Sequence, residues 1–120
     1  MTEIRNIAVI GGGLMGAGIA QVFAAHGYRV SVFEPMDMAR HSLRDRVSEN
    51  MRMLGQDSSP VAEIVLTDDL AVAVGDADYV TEAVPEKLEL KQSIFAQLEV
   101  AAPASAILAS NTSVIPIGRI

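Results

Sequence analysis

Residues Asn6 to Gly18 read Asn-Ile-Ala-Val-Ile-Gly-Gly-Gly-Leu-Met-Gly-Ala-Gly, and this junction leaves the chain little freedom of fold. The apolar run Ile7–Ile10 is short and bounded by turn residues, so it reads as a buried strand. The amphipathic stretch Ala17–His26 follows at once and reads as a helix. Between them, Gly11, Gly13 and Gly16 fit G-x-G-x-x-G. The three glycines serve different ends. Gly11 permits the tight turn out of the strand, Gly13 lets the backbone approach a pyrophosphate, and Gly16 lets the helix pack closely on the strand. The helix N-terminus then offers free N–H groups and a positive dipole end to an anion. Strand, turn and helix together point to a bound dinucleotide.

Glu34 extends that signature. Arg29-Val-Ser-Val-Phe is rich in β-branched and aromatic residues and reads as a second parallel strand. Glu34 ends it, about twenty residues past the glycine turn, where a carboxylate accepts hydrogen bonds from the adenosine ribose hydroxyls. Alone it would read as a solvated charge at a strand end; beside the glycines it reads as a ribose ligand. The same charge repels a 2′-phosphate, which favours NAD over NADP. Arg40 and Arg44, in the following helix, are the residues long enough to reach such a phosphate.

Size and charge exclude several functions. At 120 residues the chain makes one domain, long enough for a core but short for a complete dehydrogenase. Half of it is hydrophobic, as suits a sheet covered on both faces. A formal charge of −6 argues against a nucleic-acid partner, where phosphate neutralisation needs clustered Lys and Arg. No apolar run reaches bilayer length. The N-terminus enters a strand directly, without the pattern of a signal peptide. With no cysteine there is no disulfide framework, consistent with a cytoplasmic protein. Two histidines without neighbouring acids make no metal site, and His26, before Gly27, and His41 read as structural.

Strand and helix patterns alternate along the chain. Strands are expected at Ile7–Ile10, Val30–Phe33, Ile64–Leu66, Tyr79–Ala83 and Ala106–Ala109. Helices are expected at Gly16–His26, at Asp37–Leu54, after Thr67-Asp68-Asp69, and from Pro85 to about Val100 with Leu90, Ile94 and Leu98 on one face. Gly27 and Gly55 read as helix stops, and Gln56–Pro60 as a polar loop. Short crossovers of this kind demand a parallel sheet with right-handed connections. The expected fold is therefore α/β, a Rossmann-type doubly wound parallel sheet truncated after about five strands. Its ligand belongs beyond the carboxyl ends of the strands, where strand order reverses. Gly11–Gly16, Glu34–Met36, Ala83–Glu86 and Ser110–Ser113 are the loops at those ends.

The last of these, Ser110-Asn-Thr-Ser113, has two physical readings. Thr112 or Ser113 caps a following helix while Asn111 stabilises a turn, or a hydroxyl is placed beside the nicotinamide end of the cofactor. A resemblance separates them. The segments Gly11-Gly-Gly-Leu-Met-Gly-Ala-Gly-Ile-Ala, Thr81-Glu-Ala-Val-Pro-Glu and Ala109-Ser-Asn-Thr-Ser together resemble the NAD-binding domain of the 3-hydroxyacyl-CoA dehydrogenases, over essentially the whole chain. The resemblance implies oxidation of an L-3-hydroxyacyl thioester to the 3-keto thioester, with hydride passing to NAD. It implies that Gly11, Gly13, Leu14, Met15 and Gly16 line the pyrophosphate and that Glu34 takes the adenosine ribose. By the same resemblance Ala83 lies against the cofactor, Glu86 and Lys91 contact its nicotinamide-ribose side, and Asn111 shapes the loop there. Ser113 matches the active-site serine that hydrogen-bonds the reacting oxygen. Two positions depart from the family pattern: Glu34 stands where aspartate is usual, and Gly12 where alanine or serine is commoner.

The resemblance also implies a histidine base, held by a glutamate, in a later strand, and a mostly helical second domain that forms a dimer and completes the substrate pocket. This chain is accordingly expected to be a fragment that binds NAD without turning over substrate. An exposed sheet edge and uncovered apolar surface would favour self-association. Superfamily relatives act on carnitine and gulonate or serve as lens crystallins, so another 3-hydroxy acid is the alternative substrate. A non-catalytic NAD-binding or sensing module is the alternative function.

Overall fold

β1 (Asn6–Ile10) occupies the centre of the sheet because both of its faces are apolar. Its side chains alternate: Ile7 and Val9 enter one core, Ala8 and Ile10 the other, and all four are at most 2% exposed. The structure, a computed structural model, describes residues 4–85 and 87–110.

β1 leads into α1 (Leu14–Ala25), β2 (Arg29–Phe33) and α2 (Asp37–Met53). A 3-10 turn at Ser59–Glu63 precedes β3 (Val65–Thr67), followed by α3 (Leu70–Val74), β4 (Tyr79–Glu82), α4 (Leu88–Ala101) and β5 (Ile107–Ser110). All pairings are parallel and the strand order is β3-β2-β1-β4-β5. The order reverses beside β1, between the β2 and β4 sides. This is the expected Rossmann-like α/β sheet of five parallel strands.

The two faces hold separate cores. α1 and α2 supply Ala17, Ala20, Ala24, Leu43, Val47 and Met51 against Val9, Val30 and Val32. α3 and α4 supply Leu70, Ala73, Val74, Ile94 and Leu98 against Ala8, Ile10 and Val80. α1 and α2 stop where glycines take up positive φ, 86° at Gly27 and 72° at Gly55. Asp69 caps α3, accepting from the N–H groups of Ala71 (3.0 Å) and Val72 (3.4 Å).

Three expectations are corrected. α1 begins at Leu14 rather than Gly16, since Gly13 is the extended cap and Gly16 already lies in the first turn. Part of the expected polar loop Gln56–Pro60 winds into the 3-10 turn, which buries Val61 under the α1–α2 core. In α4 the buried stripe is Lys91, Ile94 and Leu98, while Leu90 is exposed. A lysine reads as a surface residue, but here it shares the helical phase of the core.

Candidate functional site

The hydrogen bonding of the sheet continues past β1 and sets the glycine turn. Gly11 donates its N–H to Phe33 O at 2.8 Å, and Ala83 donates to Ile10 O at 2.8 Å. The turn is thus anchored to the ends of both neighbouring strands. Gly11 has φ of 110°, and a Cβ there would lie 2.8 Å from the Ala83 carbonyl oxygen. Gly16 packs against the same turn, where an added Cβ would fall 1.7 Å from Gly11 O. Backbone stands against backbone at that point, so only glycine fits. At Gly13 the opposite holds: a Cβ would meet no protein atom within 4 Å. Gly13 therefore leaves open space for something else to approach the chain.

What would approach is indicated by α1 itself. The first-turn N–H groups of a helix have no intrahelical acceptor. Asp69 caps α3, Asp37 begins α2 and Glu89 lies in the first turn of α4, whereas α1 has neither a side-chain cap nor an acid there. Among the described residues its twelve-residue dipole is the one left uncompensated by the chain, and a pyrophosphate suits it.

Glu34 lies just past β2, its N–H on Thr67 O at 2.9 Å. Its carboxylate is nearly buried, 8% exposed, and turned toward the glycines. Oε1 accepts from Gly12 N–H at 2.8 Å and Oε2 from Met36 N–H at 2.9 Å. Each oxygen keeps further acceptor capacity for a ribose hydroxyl. The two arginines long enough to reach a 2′-phosphate have partners within the chain. Arg40 donates to Asp37 Oδ1 (2.6 Å) and Glu34 O (3.0 Å), and Arg44 to Ile64 O (2.6 Å).

Gly11, Gly13, Leu14, Met15, Glu34 and Ala83 all line one cleft of about 790 Å³, where the loops after β1, β2 and β4 converge. Phe33, Met36, Leu90 and Ile94 add apolar wall. Gly16 lies beneath this cleft as packing. A flat aromatic base against the apolar side and a diphosphate at the helix end would both be accommodated.

Lys91 faces the interior of the domain. Its side chain is fully buried, with Nζ 2.6 and 2.8 Å from the two carboxylate oxygens of Glu82, itself fully buried. Glu82 further accepts from Val84 N–H and Ser110 Oγ, both at 2.6 Å. The pair thus joins the ends of β4 and β5 to α4 beneath the Ala83–Pro85 loop. Sequence reasoning gave Glu82 no role of its own; the signal that could have found the pair was the phase of Lys91 with Ile94 and Leu98. Glu86, Asn111 and Ser113 lie outside the described residues. His26 Nδ1 is 2.8 Å from Val22 O at the end of α1, and His41 is exposed on α2. Among the described residues, no three His, Asp or Glu side chains are grouped to hold a metal, and no helix is long and apolar enough to cross a membrane.

Comparison with known proteins agrees with this geometry. The 3-hydroxyacyl-CoA dehydrogenase NAD-binding domain family matches residues 6–120. An L-carnitine dehydrogenase of Streptomyces coelicolor is 36% identical over 96% of the chain and 37% of its own length. A 3-hydroxyadipyl-CoA dehydrogenase of Escherichia coli is 34% identical over 100% of the chain and 27% of its own length. The crystal structure of 3-hydroxybutyryl-CoA dehydrogenase from Escherichia coli superposes with a TM-score of 0.87 at 32% identity, covering 98% of the chain and 26% of that protein. The chain thus spans well under half the length of these relatives. A glycine turn closed by backbone contact, an uncapped helix beside it and an acid on the next strand are what that family would require of its coenzyme site, and the chain belongs to the 3-hydroxyacyl-CoA dehydrogenase NAD-binding domain family.

Proposed function

We propose that this chain is the NAD-binding part of a dehydrogenase that oxidises an L-3-hydroxyacyl-CoA to the 3-ketoacyl-CoA. The observation that carries the reading is the convergence of the α1 N-terminus, Glu34 and Ala83 on one cleft. NAD, when bound, supplies the hydride acceptor. The N–H groups of Gly13, Leu14 and Met15 bind its pyrophosphate, Glu34 holds the adenosine ribose, and the Ala83 backbone orients the nicotinamide half. Glu86 and Lys91 serve the second ribose, Lys91 through the loop it braces with Glu82. Asn111 shapes the neighbouring loop, and Ser113 hydrogen-bonds the reacting oxygen.

Abstracting an alcohol proton requires a base within hydrogen-bond reach. Among the described residues neither histidine lines the cleft. The base, the acyl-CoA groove and the dimer contacts belong to further sequence of a longer protein. Carnitine is the second substrate reading, favoured by the 36% identity to L-carnitine dehydrogenase.

Titration of the chain with NADH, followed by coenzyme fluorescence, tests the binding role; saturable binding is expected. Incubation with NAD and 3-hydroxybutyryl-CoA should give no turnover. Absence of NADH binding, or oxidation by this chain alone, would overturn the reading. Assaying the longer protein on acyl-CoA and carnitine side by side decides the substrate class.

A further inference from the structure

Gly12 is not one of the three glycines of the G-x-G-x-x-G spacing, and its φ is not positive, so its backbone does not demand glycine. Its surroundings are tight instead. A Cβ at position 12 would lie 3.0 Å from Glu34 Cβ, 3.2 Å from Glu34 Cγ and 3.3 Å from Leu43 Cδ1. Leu43 is fully buried, so the glutamate would have to give way. The Glu34 side chain is folded back over the vacant side of Gly12, which is how Oε1 reaches Gly12 N–H at 2.8 Å.

The other end of the same residue is held as firmly. Gly12 O accepts from Arg46 Nη2 at 2.8 Å, and that guanidinium is fixed in turn on Ala39 O (2.9 Å) and Ser42 Oγ (3.0 Å). One residue between strand and helix is thus gripped by an anion on its N–H and a cation on its carbonyl. We propose that Gly12 strengthens the preference for NAD over NADP, because the missing side chain lets the Glu34 carboxylate, one methylene longer than the aspartate usual in the family, fold back against the turn, where it would accept from a ribose 2′-hydroxyl and repel a 2′-phosphate. This rests on the reading that the cleft binds NAD. A methyl group at position 12 would push the Glu34 side chain away from the turn.

The test measures dissociation constants for NADH and NADPH on the unsubstituted chain, Gly12→Ala, Glu34→Gln and the double variant. Gly12→Ala is expected to lower the preference for NADH by about tenfold or more, the effect of one misplaced charge-assisted hydrogen bond. In the Glu34→Gln background it should change the ratio by less than about twofold, since the two substitutions remove the same interaction. Equal weakening of both coenzymes by Gly12→Ala, or independent effects that multiply, would overturn the inference while leaving NAD binding intact. If the unsubstituted chain binds neither coenzyme, the cofactor reading falls and the preference falls with it. A second measurement does not need the alanine variant to fold. The Gly12 amide proton of the free chain, bonded to a carboxylate, should move upfield in Glu34→Gln, and an unmoved resonance would also refute the clamp.

Discussion

Replacing Lys91 by methionine tests the least anticipated feature of the site. Lys91 and Glu82 have no exposed side-chain surface, and the ammonium is 2.6 Å from Oε2. Removing one member of such a pair costs about 3–5 kcal/mol, mostly because the other charge stays buried and uncompensated. Val84 N–H and Ser110 Oγ still donate to the Glu82 carboxylate, which places Lys91→Met near the lower end, about 3 kcal/mol. At roughly 0.05–0.15 kcal/mol per residue, a domain of this length holds about 6–18 kcal/mol, so the loss is severe but survivable. In urea, with a slope of about 1.5 kcal/mol/M, the unfolding midpoint should fall by about 2 M. Glu82→Gln alone removes the countercharge that faces the ammonium and should cost a similar amount. The double variant keeps an acceptor for Val84 and Ser110 and should recover most of the loss, a coupling of about 2 kcal/mol or more. A cost below about 1 kcal/mol for Lys91→Met would refute this reasoning. It would mean that the ammonium meets water or coenzyme in solution instead of bracing the loop.

Two further outcomes follow from local geometry. Gly16→Ala should destabilise by at least about 1–3 kcal/mol and abolish NADH binding, because its Cβ falls 1.7 Å from Gly11 O, whereas Gly18→Ala, two residues on and clear of any atom within 4 Å, should stabilise by about 0.5–1 kcal/mol; thermal melts of the two variants shifting in the same direction would contradict this. The N–H groups of Arg5 and Asn6, each 2.9 Å away, hold the Asp78 carboxyl below its usual range, so its contribution is present above the ordinary carboxylate pKa of 3.8 and is lost as pH falls through the lower native value. Asp78→Asn should therefore lower Tm at neutral pH, with the gap closing in acid; a gap independent of pH would count against that role.

Much of this protein is legible residue by residue. The alternation of strand and helix, the glycine spacing and the position of Glu34 depend on local periodicity and backbone conformation, which a linear reading can follow. Side-chain partners were not legible in the same way. Leu90 and Lys91 are adjacent and both lie at helical spacing from Ile94 and Leu98, so the local pattern admits either of them to the core. That exchange follows from Glu82, nine residues back, whose buried carboxylate makes an internal ammonium tolerable. Arg40 and Arg44 read as free cations until folding brings backbone carbonyl groups within their reach. Gly12 shows the division most clearly. The chain order alone determines that a glycine turn precedes a helix and that an acid follows the next strand. That the acid folds back onto Gly12 was decided only when β2 paired with β1, because hydrogen bonds and steric contacts between distant residues exist only after the sheet has aligned them.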